Sequence, residues 1–256
     1  FYPVATKLLS DFDTALTDLH AMSKQAIGNI SLAASPSMLS CVLPSLVADY
    51  QHHHPQVAIT LRDQTASGIE KSLLNNEVDL GFGGTQLFHA ELEYSPLLSD
   101  RYGVVVSRDH PFAQTANRSI KWHDMEKERL IILTTDTGIQ RQIDHVLLTH
   151  EASRLQASTP AAVAALIQSG AGVSILPALA AATDAFRDLI FLPLCEPELS
   201  RTLYSIKRAG RALQPTAEGL MKKVHEEAKL TQLPTSIADY ILFQEECLSG
   251  KEIPPS

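Results

Sequence analysis

Gly28-Asn29-Ile30-Ser31-Leu32-Ala33-Ala34-Ser35-Pro36 is the stretch whose reading decides the fold. The run from Asn29 to Ala34 is short and mostly apolar, as a buried strand is. Ser35-Pro36 then stops it, because a hydroxyl at a helix cap followed by proline in the first turn is a strong helix start. A helix is expected from Ser37 to about His53, and after Pro55 a second strand from Val57 to Arg62. The polar turn Asp63 to Gly68 opens another helix to about Asn76, and Val78 to Phe82 reads as a third strand closed by Gly83-Gly84. Strands alternating with helices of this length predict a mainly parallel sheet with helical crossovers.

The same grammar runs through the second half. Strands are expected at Gly103–Val106, Leu130–Leu133, Leu155–Ala157, Val173–Leu176, Leu189–Leu194 and Arg201–Lys207. Helices are expected near Trp122–Lys127, from about Gly138 to His150, at Ala161–Ser169 before Gly170, and from Pro215 to Leu230. The fold class is therefore α/β, with two Rossmann-like halves of similar build. One lobe takes residues 28–104 plus 205–232 and the other 105–204, leaving 233–256 as a tail with a helix from Ile237 to Cys247. Two connections between two lobes predict a hinge and a cleft.

Upstream, Phe1, Ala5, Leu8, Phe12, Ala15, Leu19, Met22 and Ala26 recur at alternating spacings of 4 and 3. That heptad seam predicts a helix over 1–27 that packs lengthwise on a partner helix; an amphipathic helix lying on its own domain would carry a similar stripe. The chain opens on Phe1 rather than Met, which leads to the expectation of a further segment upstream.

Composition narrows the function. There are 21 Lys and Arg against 29 Asp and Glu, a formal charge of −8. Holding nucleic acid by phosphate neutralisation needs a basic face, so this stretch is not expected to grip DNA itself. The three cysteines, Cys41, Cys195 and Cys247, are far apart and lack metal-ligand spacing, which fits a reducing cytoplasm. No apolar run approaches a membrane span. His52-His53-His54 are consecutive at a helix end and cannot all face one ion, so no metal is expected. Cys41 lies among Leu39, Val42 and Leu43 and is expected in the core. There is no nucleophile elbow and no phosphate-binding loop, and Gly81-Phe82-Gly83-Gly84 lacks the third glycine of a dinucleotide fingerprint. Neither catalysis nor a cofactor is expected.

What recurs instead is a hydroxyl at a strand-to-helix turn: Ser35-Pro36, Thr65-Ala66-Ser67-Gly68, Thr134-Thr135-Asp136-Thr137 and Thr159-Pro160. In an open parallel sheet such turns gather at the carboxyl ends of the strands, where ligands bind. Helix N-termini and hydroxyls suit a small anion without a cationic side chain, and the lack of an arginine clamp at these turns points to a single charge. Each hydroxyl can also simply cap its own helix.

At four stretches the chain resembles the regulatory part of the LysR-type transcriptional regulators. They are Gly28 to Pro36; Leu43-Pro44 with His54-Pro55-Gln56-Val57; Leu73 to Gly81; and Ala164 to Pro177. The resemblance covers roughly residues 1–230. It implies a dimerising linker helix and a two-lobed effector domain of the type 2 periplasmic-binding-protein kind, with promoter DNA read by a winged helix-turn-helix upstream. It also implies a homodimer or homotetramer and a small-molecule effector held by Ser35, Ser37, Thr65, Ser67, Gly84, Thr85, Thr134, Thr135 and Thr159. The same build occurs in periplasmic solute-binding proteins, the alternative reading, and in some enzymes. An export signal would mark the first and an acid–base pair in the cleft the second.

Overall fold

A computed structural model describes Lys7 and residues 28–85, 88–114, 120–133, 139–147 and 155–243, the side chains of Arg141 and His145 excepted. The heptad seam, Thr134 and Thr135 lie outside the described residues. The described chain divides into two units. The first runs up to Pro96 and takes in Tyr204–Thr231; the second comprises Leu97–Leu203 and the described residues from Gln232.

In the first unit, strand β1 (Asn29–Ala34) pairs in parallel with β2 (Ala58–Asp63) on one edge and β3 (Leu80–Gly83) on the other. Strand β10 (Ser200–Arg208) adds antiparallel to β3 through Tyr204–Ile206. A central parallel strand is covered on both faces, so its side chains must be apolar throughout. Ile30, Leu32, Ala33 and Ala34 are accordingly fully buried. Asn29 at the start of the strand is exposed, and Ser31 is half-buried, its N–H and hydroxyl both donating to the Asp79 carboxylate at 2.8 and 2.9 Å.

After a wider first turn at Met38–Val42, helix α1 (Leu43–His53) buries Leu43, Leu46, Val47 and Tyr50. It packs on α6 (Pro215–Glu227), whose buried stripe is Ala217, Leu220 and Val224. The Tyr50 hydroxyl ties the two helices by donating to the Thr216 carbonyl at 2.8 Å. Helix α2 (Ala66–Leu74) seats Ile69 and Leu73 with Ala33, Val78, Leu92 and Ile206. It ends at Asn76 in the left-handed region, φ 57°, where the Asn76 and Glu77 amides donate back to the Leu73 and Ser72 carbonyls. That closes the exposed helix end without a glycine.

The second unit is organised on β4 (Leu92–Val106), a 15-residue strand that begins in the first unit. It pairs antiparallel with β8 (Ser174–Pro177), β9 (Ile190–Cys195) and β11 (Ile241–Phe243). Strand β5 (Ile120–Lys121) lies parallel to β9, and β6 (Ile131–Leu133) to β7 (Leu155–Ala157). Around Trp122, Met125, Val104 and Val173 these strands share a core with Ile143 of α3 (Ile139–Val146). Helices α4 (Pro160–Gln168), α5 (Ala178–Ala181) and α7 (Thr235–Ala238) complete the unit. None of the described helices is long and apolar enough to cross a membrane.

Three local expectations change. Strand β4 starts at Leu92, not Gly103; Tyr94-Ser95-Pro96 breaks the apolar pattern that marks strands, yet the backbone stays extended through it. Of the helix expected from Ile237 to Cys247, the part up to Phe243 is instead the end of the short α7 and strand β11, because Ile241-Leu242-Phe243 pair with Asp100, Ser99 and Leu98; residues 244–247 lie outside the described residues. Cys41 is half-buried rather than in the core.

Within the second unit, Asp100 and Arg201 form a two-pronged pair at 2.8 and 3.2 Å, and Asp100 also accepts the Leu179 amide at 2.8 Å. Asp100 is fully buried. Removing one partner from such a pair leaves an uncompensated buried charge. Asp100→Ala is therefore expected to lower unfolding free energy by about 3–5 kcal/mol in urea denaturation, and the apolar double replacement Asp100→Leu with Arg201→Met by much less.

Candidate functional site

Two main-chain bonds bring three turns of the first unit together. The Ser35 amide donates to the Phe82 carbonyl at 2.9 Å, extending the β1–β3 pairing, and the Gln64 amide donates to the Ala34 carbonyl at 3.0 Å. The turns after β1, β2 and β3 consequently lie side by side at the carboxyl edge of the parallel strands. This edge carries Ser35 and Ser37, then Thr65 and Ser67, then Gly84 and Thr85. Six of the nine residues expected at a ligand site are thus gathered in one unit. Gly83 permits the close approach, since a Cβ there would lie 2.7 Å from Ile69 and 3.5 Å from Ser35.

The hydroxyls do not all do the same work. Thr65 is a true cap: its side chain accepts the Gly68 amide at 3.1 Å, and it lies 3.3 Å from the Ser67 hydroxyl. Ser35 and Ser37 are buried, with their hydroxyls 3.5 Å apart, and either can be the donor. The partner described for the Ser35 hydroxyl is therefore another hydroxyl, not a main-chain amide of the helix it opens. First-turn amides of a helix lack intrahelical partners, and the helix dipole adds partial positive charge there. Together with rotatable hydroxyls, these groups suit a small anion at the edge.

Thr85 is committed elsewhere. Its hydroxyl donates to Oε1 of Glu70, a buried carboxylate on α2, at 2.5 Å. The Tyr94 hydroxyl donates to the same oxygen at 3.2 Å, and His89 Nε2 lies 3.7 Å from Oε2. Burial pushes the Tyr94 phenol up and the Glu70 charge acts in the same direction, while hydrogen bonds with the His89 amide and the Thr85 side chain act against it. The phenol therefore keeps its proton. Edge-on contacts to Phe88 and Tyr204, with ring centroids 5.0 and 6.0 Å away, hold the Tyr94 ring.

Glu70, Tyr94 and His89 are not among the residues expected at the site. The sequence does carry a signal for Glu70. Ala66, Ile69, Glu70 and Leu73 share one helical stripe, so the acid sits among residues that face the core.

Thr159 lies in the second unit, exposed, where it caps α4 by accepting the Ala162 amide at 3.2 Å. At the other end of β3, a groove is lined by Val78, Asp79, Arg208, Arg211 and Gln214. Its guanidiniums serve the fold, since Arg208 donates to the Leu74 carbonyl and both arginines to the Asn76 side chain. His52, His53 and His54 are exposed at the end of α1.

Two α/β units linked by strands, with a hydroxyl-lined edge at the carboxyl ends of parallel strands, define a small-ligand-binding domain of the type 2 periplasmic-binding-protein kind. Residues 23–229 match the family model of the LysR substrate binding domain, and the chain belongs to that family. An uncharacterised HTH-type transcriptional regulator of Escherichia coli, YbhD, is 26% identical over 224 residues, covering 84% of this chain and 68% of its own. The HTH-type transcriptional regulator BenM of Acinetobacter baylyi is 23% identical over 212 residues, 80% of this chain and 68% of its own. Among solved structures, the effector binding domain of QuiR in complex with shikimate matches with a TM-score of 0.68 at 20% identity, covering 79% of this chain and 98% of that one. The BenM effector binding domain with its effector benzoate gives 0.67 at 19%, covering 78% and 91%.

Thr65→Ala and Thr159→Ala are each expected to cost about 1 kcal/mol of stability through loss of a cap, whereas Ser35→Ala stays within about 0.5 kcal/mol. Thermal melts of the three variants check this ordering.

Proposed function

We propose that this chain is the effector-sensing part of a bacterial LysR-type transcriptional regulator, and that its effector is a small carboxylate held at the edge formed by Ser35, Ser37, Thr65, Ser67, Gly84 and Thr85. The observation that carries the reading is the convergence of three hydroxyl-bearing turns through the Ser35–Phe82 and Gln64–Ala34 main-chain bonds. Two further facts support it. The curated relatives are transcriptional regulators rather than solute-binding proteins or enzymes. The ligands named for QuiR and BenM, shikimate and benzoate, are both carboxylates. Thr134, Thr135 and Thr159 remain expected contributors from the second unit.

In this reading the protein is cytoplasmic, carries no catalytic step and works as a homodimer or homotetramer. Promoter DNA is read by a helix-turn-helix outside these 256 residues. The effector acts through its differential affinity for two conformations, because a ligand shifts an equilibrium only by that difference.

Titration with benzoate, shikimate and short-chain carboxylates, followed by thermal melting, tests the proposal. A ligand at 100 times its Kd stabilises the native state by about 2.7 kcal/mol, a readily measured rise in Tm. The rise is expected to disappear in a Ser35→Ala, Thr65→Ala double variant. No rise with any carboxylate, or an equal rise in the double variant, refutes the site.

A further inference from the structure

Hydroxyls and helix ends can fix a carboxylate, but a ligand pocket also needs apolar surface for the rest of the molecule. Among the described residues of the first unit, the large apolar side chains that stand exposed are Leu61, Phe88 and Leu230. Leu61 lies within β2 and Leu230 beyond α6. Only Phe88 belongs to a turn of the candidate edge, the segment after β3 that also carries Gly84 and Thr85. It is 67% exposed, yet its ring is held. It meets Tyr94 and Tyr204 edge-on with centroids 5.0 and 5.8 Å away, and those two rings meet each other at 6.0 Å. The interplanar angles, 79°, 87° and 85°, are those of favoured aromatic pairs. Both tyrosines are half-buried and pack on the cluster of Ile69, Leu73, Leu92 and Ile206. Strand register sets these rings at the carboxyl edge, because Tyr204 pairs with Gly83, the last residue of β3. The Tyr94 hydroxyl also meets the same Glu70 oxygen as Thr85. Phe88 is thus an apolar platform, already assembled beside the third turn.

Resting on the reading that this edge holds a small carboxylate, we infer that Phe88 determines its specificity: the effector is a carboxylate whose body is a planar ring packed against Phe88. A flexible apolar side chain would have to be ordered on binding, whereas a ring already fixed by two others loses little freedom. A ring-bearing ligand covers the exposed phenyl and adds an aromatic pair to the existing cluster. An aliphatic acid of the same charge has no π-face and less area to place there, so it gains little beyond the carboxylate contacts.

The test compares carboxylates of one charge with and without a ring: benzoate, phenylacetate and 3-phenylpropanoate against acetate, propanoate and butanoate. Calorimetry on the native chain is expected to show at least one ring-bearing acid binding about 10-fold tighter than every ring-free one, the effect of one aromatic pair. Phe88→Ala is expected to remove that preference and leave the affinity for ring-free acids unchanged. Phe88→Trp is expected to keep it. The native chain holds a single tryptophan, Trp122, in the second unit, so Phe88→Trp also adds a reporter at the site. Its emission is expected to change saturably with the ring-bearing acid, at the Kd found by calorimetry. Should Phe88→Ala fail to fold, that emission decides. Equal affinity for the two groups of acids, or a ring preference that survives in Phe88→Ala, overturns the inference and leaves the carboxylate edge standing. So does a Phe88→Ala chain that sediments as a smaller species than the native chain, which makes Phe88 a contact between copies. Absence of binding by every acid overturns both.

Discussion

The two main-chain bonds at the end of β1 constrain everything built above them. A strand paired on both edges has no freedom to slide, because shifting it by one residue would exchange Leu32 for Ala33 and Ser31 on each face. Register is thus held by burial, and the Ala34 carbonyl and Ser35 amide arrive at fixed places. Once they are fixed, the adjoining turns have little choice of position: Gln64 and Phe82 are tied to them directly. The local sequence then supplies the chemistry. Pro36 ends the strand, Thr65 caps α2, and Gly83 lets the third turn approach. The fold gathers the hydroxyls at one edge of the sheet.

Charge is distributed in a way that separates support from recognition. Arginine could have supplied a stronger anion site, yet the two guanidiniums near β3 lie at its opposite end, where they satisfy the C-terminus of α2. The buried Asp100–Arg201 pair likewise serves the second unit's own packing. At the candidate site the polarity comes from helix ends and neutral hydroxyls, with one buried acid beneath the third turn.

Much of this architecture is legible in the sequence because burial writes a clear pattern. The run Asn29 to Ala34 is apolar because it is covered on both faces, and the hydroxyl–proline pairs mark helix starts for a local reason that needs no tertiary context. Local pattern misleads where tertiary contacts overrule it. Leu92 to Pro96 carries a proline and mixed polarity, yet it continues the strand that contains Val104–Val106. Ile241 to Phe243 has too few residues to declare itself, and its strand identity comes entirely from Leu98–Asp100 across the ladder. Glu70 is the subtler loss. An acid in a helix usually means a solvated face, and only its place on the stripe of Ala66, Ile69 and Leu73 marks it as buried. The bond that diverts Thr85 spans 15 residues and two elements, a relation no local pattern records.

Backbone amide NMR during a benzoate titration bears most directly on the claim that three converging turns of the first unit hold the effector. The account predicts saturable shifts at the amides of Ser37, Met38, Ala66, Ser67 and Thr85, with those of Val78, Arg208 and Arg211 unmoved. Saturable shifts confined to the arginine-lined end of β3, with the hydroxyl turns silent, would contradict it.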